Sequence, residues 1–264
     1  MTAATATFRA ELVKLLRRRV LVTTAAASLA FSIVSALVVL AAAAGTPDPR
    51  RPGPTLESLA DGGGGTDVFT TAASFAGTFL FVVFVGAIAA EFSRGTIRTM
   101  LLRQPHRLRL LAGKVGALLA FAAAALALTE ALTWTAARIL APGRDVATAA
   151  WTSLDALAQA AGDYGNVLVW ITGYALLALG LAVVVRSVPI ALAIGIAWAG
   201  PFEHLIQEAW EPASRLFPGL LLEAFVAGGT PAVSAGRALA TVAVYGTVAV
   251  AGAAALFSRR DVTA

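Results

Sequence analysis

Few side chains in this sequence could do chemistry. Glu130 is a carboxylate inside an apolar run, Val115–Ala137. An ionisable group there must face protein or water, so it reads as a polar lining of a route, a proton-linked carboxylate, or a structural hydrogen bond. His204 and Glu208 stand four residues apart with Glu211 beyond, a spacing that puts two ligands on one helical face. A bound divalent metal needs more ligands than this stretch supplies, so no metal is assigned and a solvated helix end is the plainer reading. The chain has no Cys, which excludes disulfides and thiolate metal sites. Gly62–Gly65 lacks the Lys-Ser/Thr ending of a phosphate loop, and Gly113-Lys114 has Leu108 where the first glycine belongs and Val115 after the lysine. Neither paired carboxylates, a Ser with its base nor a His-rich set falls inside the apolar runs, so the chain is read as non-catalytic.

The elements that hold these residues follow from composition. Of 264 residues, 58% are hydrophobic and 13% charged, about half the charged share of a soluble domain. That balance predicts an all-α membrane protein of one domain spanning 1–264, since no polar stretch is long enough for a second. A crossing helix needs about 20 apolar residues. The runs at 20–44, 66–90, 115–137, 167–185, 188–205 and 238–257 meet or approach that length, and together predict six transmembrane helices. The first is too long for a signal-peptide core and is read as retained. Each must be helical, because an open strand edge cannot be satisfied in lipid.

Orientation follows from the basic residues. Arg9, Lys14, Arg17, Arg18 and Arg19 precede the first run; Arg94, Arg98, Arg103, Arg107, Arg109 and Lys114 follow the second. Arg186 follows the fourth, and Arg259 and Arg260 the last. By the positive-inside rule these segments and both termini are cytoplasmic. The net charge of +5 therefore reflects membrane orientation, and nucleic acid is not an expected partner. Residues 8–19, with Phe8, Leu12, Leu15 and Leu16 at helical spacing, predict an amphipathic helix lying in the interface. On the outer side, 45–65 reads as a flexible loop, and 146–161, with Trp151, Leu154 and Leu157, as a short surface helix. Trp134, Trp170 and Trp210 read as interfacial anchors. The fifth run is interrupted at Gly200-Pro201, so 201–235 reads as a broken, re-entrant or surface-lying helical pair.

The segment after the second run reads Glu91-Phe92-Ser93-Arg94-Gly95-Thr96-Ile97-Arg98-Thr99-Met100-Leu101, then Gln104-Pro105-His106-Arg107, then Gly113-Lys114. It resembles the permease subunits of type-2 ATP-binding-cassette (ABC) transporters, mostly bacterial exporters. There an acidic residue ends the second span, a Gly-Thr pair opens a short cytoplasmic helix, and a basic turn leads to a Lys at the third. Glu11-Leu12-Val13-Lys14 is similar to that family's elbow helix, and Phe257-Ser258-Arg259-Arg260-Asp261-Val262 to its usual ending. Physically, Gly95 permits a sharp exit from the second helix, Thr96 can cap the helix beginning there, and Pro105 ends it. Glu91 is placed to pair with Arg94 or Arg98.

The resemblance implies a permease of the bacterial cytoplasmic membrane that exports an amphipathic small molecule, a drug, an antibiotic or a lipid-like cargo. It implies two copies of an ATPase subunit, which bind the ATP and Mg, and a second permease copy. Glu91, Arg94, Gly95, Thr96, Arg98, Pro105 and Arg107 form the expected ATPase-coupling element. Phe75, Thr78, Phe79 and Glu130 are the expected substrate route, with membrane lipid around them. The rival readings are a non-transporting membrane regulator or assembly factor and, more remotely, an intramembrane enzyme.

Overall fold

A computed structural model describes residues 3–45, 54–103, 106–198 and 202–259; the side chains of residues 3, 72, 74–82, 98 and 103 are outside that description. Eleven α-helices are distinguished among these residues: α1 (Ala3–Leu15), α2 (Arg18–Ala42), α3 (Leu56–Ala60), α4 (Gly64–Ser93), α5 (Thr96–Arg103), α6 (Arg107–Leu140), α7 (Leu154–Val185), α8 (Val188–Ala197), α9 (Glu203–Ala209), α10 (Pro218–Val226) and α11 (Ala235–Arg259). Among the described residues there is no strand, only isolated bridges at Ala44–Thr55 and Gly229–Ser234. The all-helical expectation therefore holds.

Among the described residues, four helical segments are long and apolar enough to cross a membrane: Arg18–Ala42, Arg107–Arg144, Leu154–Val185 and Ala235–Arg259. Their outward faces are apolar. On α2 alone Leu21, Val22, Leu29, Ile33, Val34, Leu37 and Val38 are exposed, a surface that water would penalise and hydrocarbon chains do not. The protein is membrane-embedded. The backbone of α4 is helical over 30 residues, while α8 has only 10, too short to span alone.

The helices build two compact units. The first comprises residues 1–15, 76–120 and 169–264; the second, 16–75 and 121–168. Within the second unit, Ala36, Val39, Leu40, Leu59, Val68, Ala137 and Trp151 form the core. The α2 and α6 helices are tied there by hydroxyls, the Thr129 hydroxyl donating to Ser28 Oγ at 2.9 Å and that of Thr133 to Ser32 Oγ at 3.0 Å. Small hydroxylated residues both let the two backbones approach and satisfy each other's polar groups where lipid offers no partner.

Several expectations are corrected. The predicted amphipathic helix at 8–19 starts earlier and stops at Leu15, because Arg17 is extended (φ −63°, ψ 139°). Its buried face is built on Thr7 and Glu11, whereas Val13 and Leu16 are exposed. The short surface helix expected over 146–161 is not separate. Two 3₁₀ turns, Ala141–Arg144 and Ala149–Thr152, lead into α7, which runs unbroken from Leu154. Trp151 is buried and donates its indole N–H to the Leu59 carbonyl at 2.9 Å. Trp170 is no interfacial anchor: it is buried and packs edge-on against Tyr174, ring centroids 5.1 Å apart. The outer stretch expected to be flexible holds α3, closed by a reciprocal Thr55–Ser58 capping box; residues 46–53 fall outside the described ones. After α8 the chain is broken into α9, a 3₁₀ turn (Glu211–Arg215) and α10, as the Gly200-Pro201 interruption predicts, although residues 199–201 themselves lie outside the described residues.

Candidate functional site: the basic helix after α4

The candidate site lies in the first unit, where α4 ends. Gly95 is left-handed (φ +66°), a conformation that strains any side chain with a Cβ. It turns the chain out of α4 into the eight-residue α5. Thr96 does not cap the start of α5 as expected. Its hydroxyl donates to the Glu91 carbonyl at 3.2 Å, satisfying one of the orphan carbonyls in the last turn of α4. Ile97 is buried and fixes the root of α5, while Arg94 and Thr99 are exposed and Leu102 presents 82% of its surface. The Arg98 side chain and Pro105 lie outside the described residues.

Glu91 was expected to pair with Arg94 or Arg98. Its carboxylate instead meets Lys114 of α6 in a short contact, and Lys114 also reaches Glu11 of α1 at 3.2 Å. Lys14 closes the group with a 2.7 Å bond to Glu11. The Lys114 side chain is only 5% exposed. A cation that deep requires compensation, and the two carboxylates supply it from different helices. Burial works to raise the pKa of Glu11, but Lys14 and Lys114 outweigh it and hold the carboxyl below its ordinary value. Close backbone approach makes the cluster possible: a Cβ on Gly113 would stand 2.5 Å from the Ala4 carbonyl oxygen. Only glycine lets α1 lie on α6 here.

Other helix ends gather around the same place. Arg107 donates to the Phe257 carbonyl at 2.9 Å, satisfying the end of α11. Phe257 is buried against Phe92 in an edge-on contact of 5.8 Å. Arg186, left-handed at φ 56°, reverses the chain between α7 and α8 and lies 5.5 Å from the Phe92 ring centroid. Ser93 pins that reversal, its hydroxyl donating to the Arg186 carbonyl at 3.2 Å and accepting the Val188 N–H at 3.3 Å. The base of α5 is therefore joined by side chains to α1, α6, the α7–α8 turn and α11.

The expected route residues are not brought to this place. Phe75, Thr78 and Phe79 sit on α4, with side chains outside the described ones. Glu130 belongs to the second unit, where sequence gave it no partner. Asp163 of α7 lies near enough to interact electrostatically with both Glu130 and Asp67 of α4, with Thr66 placed to donate to its carboxyl group, and Glu130 Oε1 is a buried atom without a hydrogen-bond partner among the described residues. Asp163 was missed because it stands in a polar stretch that reads as loop. His204, considered as a metal ligand with Glu208 and Glu211, instead faces Glu223 at 3.2 Å, and among the described residues no three His, Asp or Glu side chains are grouped to hold a metal.

The chain matches no protein-family model, and no curated protein matches it.

Proposed function

We propose that this chain is the permease subunit of an ATP-driven exporter of amphipathic cargo, with α5 as the element that receives mechanical work from a separate ATPase. In this reading α2, α4, α6, α7, α8 with its broken continuation, and α11 make six crossings. Both termini lie in the cytoplasm, α1 is an interfacial elbow, and the membrane is bacterial and cytoplasmic. Two ATPase chains bind ATP and Mg, and a second permease copy completes the pore.

The observation that carries the reading is the bracing of α5. An eight-residue helix after a left-handed glycine could swing freely if it ended in solvent. Here Glu91, at its root, is locked through Lys114 to α1 and α6, and Arg107 ties the start of α6 to the end of α11. Displacement of α5 is then passed to several long helices at once, which suits a lever and is wasted on a passive loop. Glu91, Gly95, Thr96 and Arg107 form the bracing, while exposed Arg94 and Leu102 offer charge and apolar surface to the ATPase, and the sequence adds the charge of Arg98 to the same element. Approach of the two ATPases on ATP binding would tilt α5 and switch the route from inward to outward access.

The test is co-purification with a soluble chain that carries a phosphate-binding loop, sought first in the neighbouring reading frames. Arg94→Glu and Arg98→Glu should reduce complex formation and ATP turnover without changing the yield of folded permease. Unchanged complex and turnover would remove the coupling role, and so would labelling that places residues 94–109 on the outer surface.

A further inference from the structure

Beyond the break after α8, the first unit encloses a cavity of about 200 Å³ whose wall includes Tyr174, Ile194, Trp198, Glu203 and Gly219. It is apolar and aromatic except for one carboxylate. Glu203 is 2% exposed. Its Oε2 accepts the Leu220 N–H at 2.9 Å, which satisfies a donor in the first turn of α10. The Trp198 side chain and the Gly219 N–H also lie close enough to act as donors to this carboxyl group, while its Oε1 is buried and has no hydrogen-bond partner of good geometry among the described residues. A buried carboxylate oxygen without a well-placed donor is costly, so the site has room for one more donor. Among the described residues, no basic side chain lines the cavity.

A second, wholly apolar groove of about 360 Å³ adjoins it. Leu177 and Leu181 of α7 line both spaces, and the groove continues past Val184 of α7 and Val248 and Leu256 of α11. The two helices pack closely there, with Gly180 facing Ala249. An aromatic head pocket with one carboxyl group thus shares the Leu177–Leu181 wall with an apolar groove suited to a tail.

We propose that this pair of spaces binds a cationic amphiphile: an amine whose ammonium donates to Glu203 Oε1 against the Trp198 and Tyr174 rings, and whose alkyl or aryl tail lies along Leu177 and Leu181. The charge complementarity selects the class. An ammonium supplies the donor that Glu203 Oε1 lacks and is attracted by the π-faces of Trp and Tyr. A neutral alcohol supplies a weaker bond, and an anion is repelled. At about 200 Å³ the head pocket is smaller than the roughly 300–1,000 Å³ of a drug-sized site, so it takes the charged end and leaves the tail to the groove. The inference rests on the permease reading, for which it names the cargo class.

The experiment uses the full chain purified in a neutral maltoside detergent and follows tryptophan quenching by 3-bromo-4-octylbenzylamine, whose bromine lies beside the charged end, and by the benzyl alcohol of the same skeleton. The amine should quench saturably and bind about tenfold or more tightly than the alcohol. Trp198→Phe should remove most of the saturable signal. Glu203→Gln, whose amide oxygen can still accept the Leu220 N–H, should weaken the amine by about tenfold while leaving the alcohol unchanged. Equal binding of amine and alcohol by the unmodified chain overturns the proposal, and that comparison stands even if a variant fails to fold. Undiminished amine binding by a folded Glu203→Gln protein also overturns it, as does a signal that survives Trp198→Phe. No ATPase is present, so failure here leaves the coupling of α5 untouched, and failure of the ATPase complex leaves this binding result intact.

Discussion

Replacing Lys114 with Met is the sharpest perturbation the structure offers. Met keeps the length and apolar stem of lysine and removes only the charge. The Lys114 side chain is 5% exposed, Glu11 10% and Glu91 17%, so solvent screens this group little. Lys114→Met would leave two carboxylates facing each other with only Lys14, itself 49% exposed, to compensate. Breaking a buried pair by removing one partner costs about 3–5 kcal/mol, comparable to the whole stability margin of many domains. Removing all three charges together, as Glu11→Gln, Glu91→Gln and Lys114→Met, takes away attraction and desolvation alike and should be close to neutral. The assay is reversible denaturation of the purified chain in mixed micelles, with limited trypsin cleavage at Lys14 as a local readout of α1. The single variant should be less stable than the triple and should release α1 to protease. If the single variant unfolds like the unmodified protein, or the triple is the less stable of the two, the cluster does not hold these helices together.

Three further outcomes follow from neighbouring observations. Gly113→Ala would drive a methyl to within 2.5 Å of the Ala4 carbonyl; backbone cannot yield as a side-chain tip does, so α1 should detach and become protease-sensitive while the membrane helices keep their circular dichroism. Gly95→Ala meets no neighbour within 4 Å, so its cost is purely conformational, about 1–2 kcal/mol for an L residue held at φ +66°. ATPase stimulation should fall while protein yield holds, and an unchanged turnover would deny the bend its role. Glu11 has a depressed folded pKa, so its contribution is fully present above the unfolded value near 4.5 and is lost as pH falls through the lower folded value. Unfolding midpoints measured downward from neutral pH should drop in that window for the unmodified chain and drop less for Glu11→Gln; parallel curves would contradict the assignment.

The ends of α2 and α11 fall within about three residues of the sequence expectation because each is one uninterrupted apolar run bounded by arginine, the signal hydropathy reads best. The start of α7 was not legible. The sequence predicts a separate surface helix over 146–161, and Gly162, Asp163, Gly165 and Asn166 between it and the apolar run look like loop chemistry, yet polarity decides which side of a helix is wet and not whether its backbone bonds form. Trp170 was misplaced for a related reason: a tryptophan near the end of an apolar run suits an interface, and only the partner Tyr174 one turn away in the core shows otherwise. Gly95 was legible since its neighbours demand a turn there. The Glu11–Lys114 pair was not, because nothing local in either segment points to a residue about a hundred positions away.

The basic residues carry a lesson that bears on which of them a partner could use. Read from sequence, Lys14, Arg94, Arg107, Lys114 and Arg186 are equivalent markers of the cytoplasmic side. The fold separates them. Lys14 and Lys114 are engaged by Glu11 and Glu91, Arg107 by the end of α11, and Arg186 by the Phe92 ring. Lys14 bonds within α1, but Lys114, Arg107 and Arg186 each join helices within the first unit, and their loss should first be felt as instability. Arg94 and Arg109 remain exposed, so their replacement changes the surface a partner meets and little else. Charge reversal at a joint and at an exposed position should thus fail differently: the first loses folded protein, and the second keeps the protein and loses only the complex.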